Sequence, residues 1–466
     1  MGLEQDRERC LESLIWATKR LHGKVDLTQL SKIAELIIQT MTGPWRFFHT
    51  PEHIFEVGGS VDDSGDAIEV LAALFHDLVY VQVDQGISVN ISRYIAPFIK
   101  EVLTDETNKL MIRDEAELPQ DPMFKLVANI FGFSAGQALS PMAGQNEFLS
   151  ALIAAKAFQD VLPPNILAEI VACIEATIPF RPRLESGICA SDRLYERLQQ
   201  ANQRFGFGWS DAKVIEVVQR AVQVANRDVE NFASPYSAHF LDNTWNLLPE
   251  TNHHLATPNS YTVQGYRTSL QKMEGFMSFL KPDVVFQQFR GVPSAEVYQD
   301  LIERTGKNLE VAKLYLGAKL VSIAIIEALS CRIGCDIPIS TMMGELPSTA
   351  HRAAQLEHFI PEMPRHYKPQ TLLEEEVLDI LENGRSSDSN YDVKNSPIAT
   401  FVVKSVGFED VRVLVMRAKE FFKGDISAED FLTSCTPEVV ETVTNGVIQL
   451  FESRKVALAQ PNEVIA

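Results

Sequence analysis

Apolar residues in this chain return every three or four positions almost from end to end, and that period commits it to helices. Residues 8–40 place Leu11, Leu14, Ile15, Leu21, Leu27, Leu30, Ile33, Leu36 and Ile37 on this spacing, with a break at Val25-Asp26. The same pattern predicts helices over 66–80, 88–103, 146–159, 165–176, 190–202, 211–231, 262–280, 295–305, 308–331, 371–383, 409–422 and 437–454. Thr50-Pro51-Glu52 and Thr436-Pro437-Glu438 each offer a capping hydroxyl, a Pro at the first helical position and an early acid. Ser427 with Asp430 is a related start signal, and Gly384 is a stop. Phe401–Val406 is the best short strand candidate, and the fold class expected is all-α.

At 466 residues the chain exceeds what one core usually supports. Residues 233–260, rich in Pro, Asn and Ser, and residues 384–397, polar and nearly free of aliphatics, read as boundaries. They divide the chain into a helical domain at 1–232, a helical accessory domain at 233–383 and a small C-terminal helical domain at 398–466. Sixty-two Asp and Glu against 42 Lys and Arg give a net charge of −20, which disfavours nucleic-acid binding and anionic membranes. The N-terminal MGLEQDRERC carries acids where a secretory signal needs apolar residues, and Asp6 stands where myristoylation wants Ser or Thr. Leu314–Leu329 is interrupted by Lys319 and Glu327, so it reads as a core helix, and the protein is expected to be cytoplasmic. Six Cys do not make a disulfide framework; Cys331 and Cys335 are expected to be small buried thiols.

Polar residues inside greasy helices are the informative exceptions. His76 and Asp77 sit in Ala-Leu-Phe-His-Asp-Leu-Val-Tyr, on a helix whose apolar side is Ile68, Leu71, Leu74, Phe75 and Leu78. Burying a carboxylate and an imidazole there costs several kcal/mol unless they pair or bind a metal. His53 falls in the first turn of the preceding helix, with His49 just before its cap. Imidazole nitrogen and carboxylate oxygen together suit a divalent transition ion, although a hydrogen-bonded His–Asp pair in a core is also legitimate.

Arg46-Phe-Phe-His49-Thr-Pro-Glu-His53-Ile-Phe-Glu-Val57, followed by Phe75-His76-Asp77, resembles the HD-domain superfamily of metal-dependent phosphohydrolases. The resemblance covers roughly residues 10–230 and implies an HD-type helical bundle followed by a second, mostly helical region. It implies that His53, His76 and Asp77 bind a divalent metal ion (Mn, Mg, Fe, Ni, Co or Zn). A distant Asp completes the set, and Asp192, in Ala-Ser-Asp-Arg-Leu, is preferred over Asp228, in Asn-Arg-Asp-Val. His49 and His53 together also resemble the first metal motif of the cyclic-nucleotide phosphodiesterase branch, which makes His49 the proton donor. Asp77 would both bind the ion and orient a water. Arg46, Arg181 and Arg183 are candidates for the phosphate of a small phosphorylated substrate.

The sequence also departs from that pattern. No His lies between His76 and His239, so a two-metal site with His ligands is not expected, and only Asp84 and Asn90 follow the doublet as extra polar groups. His253-His254 reads as a loop pair, and His351, His358 and His366 as structural; Glu374-Glu375-Glu376 reads as a solvated first turn. The function expected is hydrolysis of a nucleotide or other phosphate ester by metal-activated water. A non-catalytic sensor or scaffold derived from the same fold is the alternative, and a di-iron oxygenase would need more ligands. The apolar 308–331 helix suits either a core or a homo-oligomer interface.

Overall fold

The computed structural model describes residues 2–62, 64–103, 108–257, 260–334, 336–346, 354–362 and 367–459. Among them are helices and one two-stranded antiparallel sheet, so the protein is all-α. Cys335, His351 and His366 lie outside the described residues.

The chain forms two compact units, residues 1–233 with 281–305, and residues 234–280 with 306–466. The first unit holds helices α1 (Leu3–Arg20), α2 (Leu27–Met41), α3 (Pro51–Gly58), α4 (Ala67–His76) and α5 (Val89–Ile95). Strands β1 (Ile99–Leu103) and β2 (Asn108–Ile112) follow, with Ile99 opposite Ile112. Then come α6 (Pro122–Phe131), α7 (Gln145–Phe158), α8 (Pro164–Ala176), α9 (Ala190–Phe205) and α10 (Asp211–Asp228). All ten residues of α4 are buried, since it is the central helix on which α1, α3, α7, α8 and α10 pack. Asp66 caps it by accepting from the backbone N–H groups of Ile68 and Glu69 at 2.8 and 3.2 Å.

The second unit is built from α11 (Ser237–Thr251), α12 (Val263–Phe279), most of α13 (Ala295–Ser330), α14 (Ile339–Met343), α15 (Leu372–Asn383), α16 (Pro397–Lys423), α17 (Ala428–Ser434) and α18 (Pro437–Ala459). Several expectations are corrected here. Residues 233–260 are mostly helical, because Phe240, Leu241, Thr244, Trp245 and Leu248 share one buried face. The helices expected at 295–305 and 308–331 are one helix, α13.

Phe401–Val406 is helix rather than strand, inside α16, whose kink falls at Gly407 with φ of 81°. A Cβ there would sit 2.6 Å from the Tyr367 ring, so both space and backbone call for glycine. The helix expected over 88–103 stops at Ile95, and β1 takes its second half. Cys331 is exposed rather than buried.

The domain division also differs from expectation. Residues 233–383 and 398–466 are not separate domains, and 384–397 is no exposed linker. Tyr391 and Arg385 in that stretch are buried at 2% exposure each. Asp392 accepts hydrogen bonds from Lys319, Trp245 and Tyr266 at 2.9, 2.8 and 2.8 Å. Polar composition here marks a buried charge network, which composition alone does not distinguish from solvated chain.

No helix among the described residues is long and apolar enough to cross a membrane.

Candidate metal centre

Three helix ends converge in the first unit: the start of α3, the end of α4 and the end of α10. Pro51 opens α3, so His53 points from its first turn; Thr50 takes the cap position, but its side chain makes no capping hydrogen bond. α4 ends at His76, and Asp77 is its C-cap. Asp228 is the last residue of α10. Arg227 fixes that end, bonding Glu69 of α4 at 2.6 Å and the Val57 carbonyl of α3 at 2.8 Å.

His53, His76, Asp77 and Asp228 thereby come together, each offering a ligand atom, all within 4.8 Å of one another. The Nε2 atoms of His53 and His76 both lie 3.1 Å from Asp228 Oδ1. The same nitrogens approach Asp77 Oδ2 at 3.3 and 2.9 Å. They do so off the direction of a hydrogen bond, and that buried oxygen has no hydrogen-bond partner.

His76 decides what such an arrangement requires. Its Nδ1 lies 2.8 Å from the Ala73 carbonyl, which can only accept, so Nδ1 carries the proton. A neutral ring then aims the lone pair of Nε2 at two carboxylate oxygens. Either a second proton or a cation must sit there. Two imidazole nitrogens, two carboxylates and an orphaned oxygen fit a divalent transition ion, and the backbone-held tautomer is the usual one for a ligating His. Separations near 3 Å are what neighbouring ligands show around an ion at about 2.1 Å.

Protons are the competitor. Burial disfavours a charge on His53, but the hydrogen bond to Asp228 and the nearby Asp77 outweigh it, pushing its pKa up to about 9. His76 is also raised despite burial, by the charges of Asp77 and Asp228. Burial would lift the carboxyl of Asp77, yet His76 and His49 hold it well below the usual carboxylate range. Asp228 is lowered too, chiefly by His76 against the same desolvation.

The sign of the pH effect follows from these directions. A histidine raised in the folded state stabilises fully below its unfolded value of about 6.5, and that contribution is lost as pH climbs through the folded value. Metal-free protein should therefore lose stability between pH ~6.5 and ~9, the window set by His53. A bound divalent ion, which takes neutral imidazoles, should abolish that decline. Urea denaturation of chelator-treated and metal-loaded protein from pH 5 to 9.5 checks this, and a flat metal-free profile would count against it.

The remaining sequence candidates distribute unevenly. His49 lies beside the cluster, its Nε2 3.9 Å from Asp77 Oδ2 and its ring against Tyr80 at 4.7 Å. The preference for Asp192 is corrected. That residue folds back at the start of α9, accepting from the Cys189 N–H and thiol at 2.9 Å each, while the alternative, Asp228, occupies the cluster. Asp192 sits at the third position of a helix that needs its N-terminus capped, and this local demand explains an acid at that place.

Arg46 is also corrected as a phosphate ligand. Its guanidinium is buried, bound to Asp84 at 2.7 and 3.0 Å and to the carbonyls of Asp77 and Leu78 at 2.7 and 3.2 Å. It clamps the turn that carries Asp77. Asp84 is thus engaged away from the cluster, and Asn90 bonds Gln39. Arg181 is bound to Glu175, at 2.6 Å, and Arg183 is exposed beside Asp192.

Two residues escaped sequence reasoning. Glu147, near the start of α7, has a buried Oε2 with no hydrogen-bond partner. Burial above all, reinforced by Asp77 and Asp228 against Arg181, pushes its carboxyl up to about 8, so it holds a proton at neutral pH. Arg193 shares the neighbourhood of Glu175 with Arg181 and Arg197, which already occupy that carboxylate at 2.6 and 2.5 Å. Its buried Nε has no acceptor, and burial followed by its two cationic neighbours lowers its pKa. In sequence, Glu147 looks like a first-turn acid and Arg193 like a surface cation; only their neighbours give them away.

Gln287, from the 281–305 segment, ties these helix ends together. It bonds Asn226 of α10 at 2.8 and 2.9 Å, the Ala176 carbonyl of α8 at 2.8 Å and Ser191 of α9 at 3.0 Å. Compared with protein-family models, with curated proteins and with solved structures, the chain matches none.

Proposed function

We propose that the first unit is a metal-dependent phosphohydrolase of HD type, acting on a nucleotide or another small phosphate ester. The observation that supports this most is the set of two Nε2 atoms facing two carboxylates, with Nδ1 of His76 tied to a carbonyl. His53, His76, Asp77 and Asp228 would hold the divalent ion. When bound, such an ion supplies Lewis acidity, which lowers the pKa of water and polarises a phosphoryl oxygen.

The protein groups do the rest. Asp77 presents an oxygen without a hydrogen bond, suited to orient a nucleophile, and Arg46 holds its backbone in place. His49, 12% exposed at the edge of the cluster, is placed to give a proton to a leaving oxygen. Glu147, which holds its own proton, is a second candidate for that role. Arg193, whose Nε has no acceptor, is the candidate for meeting the anionic substrate, and would counter the chain's −20 charge locally.

Steady-state hydrolysis of nucleotides and bis-p-nitrophenyl phosphate with Mn²⁺ tests the reading. Turnover should vanish with chelator, and Arg193→Gln should raise KM by about tenfold with kcat little changed, as expected for lost uniform binding. No turnover with any divalent ion would leave the non-catalytic sensor or scaffold as the better account.

A further inference from the structure

Gln287 is not a member of the metal cluster, yet each of its bonds ends beside a residue of the site. Its backbone N–H donates to Asn226 Oδ1 at 2.8 Å and its carbonyl accepts from Asn226 Nδ2 at 2.9 Å, in the last turn of α10, which ends on Asp228. Its Nε2 donates at 2.8 Å to the carbonyl of Ala176, the residue after Glu175. Its Oε1 accepts from Ser191 Oγ at 3.0 Å, in the first turn of α9, which also carries Arg193. A carbonyl can only accept, so the Ala176 bond fixes which end of the amide faces α8 and which faces α9.

Other contacts leave this task to Gln287. Arg227 ties the end of α10 to α3 and α4, so Asp228 faces the histidines without help from Gln287. The Arg197–Glu175 pair joins α9 to α8 alone. The ion pairs of Glu169 with Arg220 and Lys213 join α8 to α10 further from the site. Through Gln287, the α8–α9 pair that bears Glu175 and Arg193 is set in register with the helix that bears Asp228.

We propose that Gln287 is a positioning residue, which fixes the guanidinium of Arg193 relative to Asp228 so that one anion meets both the arginine and the ion. This rests on the roles assigned above to Arg193 and Asp228. Such register matters because a misplacement of about 1 Å can cost about 10²-fold in rate. Removing the side chain should not release the segment. Phe289 is 3% exposed in the core of the first unit, Gln219 of α10 donates to the Arg290 carbonyl at 3.2 Å, and the Asn226 bonds use only the backbone of Gln287.

Calorimetric titration of the Mn²⁺-loaded full-length protein with inorganic phosphate, beside elemental analysis of bound Mn²⁺, tests the inference. Gln287→Ala should keep the wild-type metal content and bind phosphate about tenfold more weakly, as expected for a misaligned contact. Gln288→Ala, which removes a bond to the Pro293 carbonyl of the same segment at 3.0 Å, should change neither. Arg193→Gln should lose about as much phosphate affinity as Gln287→Ala, and the double variant no more than either, because the one residue acts through the other. Wild type that holds no Mn²⁺ would remove the metal centre and this inference with it, as would metal-loaded wild type that binds no phosphate. With both bound, loss of Mn²⁺ or wild-type phosphate affinity in Gln287→Ala, a matching loss in Gln288→Ala, or additive losses in the double variant would overturn the positioning role alone.

Discussion

Asp228→Asn should strip the protein of its divalent ion, whereas Asp192→Asn should leave the metal content unchanged. Asp228 Oδ1 is the one oxygen that both ring nitrogens face at 3.1 Å, so the neutral amide removes half the negative charge of the site while preserving its shape. The helix end should stay in place, because Arg227 holds it through Glu69 and the Val57 carbonyl. Elemental analysis of protein loaded with Mn²⁺ and then dialysed should give near-stoichiometric metal for wild type and Asp192→Asn. It should give less than about a tenth of that for Asp228→Asn, at least the loss typical of disturbing a metal ligand's supports. Hydrolysis should fall with it, by ~10³-fold or more if water activation by the ion is lost. Equal metal in both variants would remove the basis of the assignment.

Glu175→Gln should cost about 3–5 kcal/mol of stability, the range for removing one partner of a buried ionic group. The carboxylate is 1% exposed and receives Arg181 and Arg197, with Arg193 close by. Although burial alone would raise its pKa, Arg181 and then Arg197 hold it below the usual range. Without that charge three guanidinium groups repel one another in a partly buried space. Urea denaturation should show the loss, and adding Arg193→Gln should recover part of it by removing one of the repelling charges. A cost below ~1 kcal/mol would mean that the arginines find other partners or solvent.

Much of this was legible in the chain. The helix period depends only on local spacing, so most helices fall where the apolar residues predict, and the Ser427–Asp430 start signal holds as written. His53, His76 and Asp77 could be singled out because polar groups in an apolar run need a partner. The fourth member could not be fixed the same way. Asp192 and Asp228 both end or begin a helix near basic residues, and only packing of α10 against α3 and α4 separates them.

Arg46 misled for a related reason. An arginine near a phosphate motif looks available, but its donors are consumed by Asp84 and two carbonyls. Glu147 and Arg193 stayed hidden because nothing local marks a carboxyl or guanidinium whose partners are absent.

The stretch from 384 to 397 bears on how the chain can be divided. Asp392 is the counter-ion of Lys319 in the middle of α13, and Arg385 bonds Tyr315 of the same helix at 3.0 Å. A polypeptide shortened at that polar run would lose both charges from the interior it leaves behind, exposing an uncompensated lysine among aromatic rings. The segment that looks most expendable in the second unit is its keystone, and any trimmed form has to keep it.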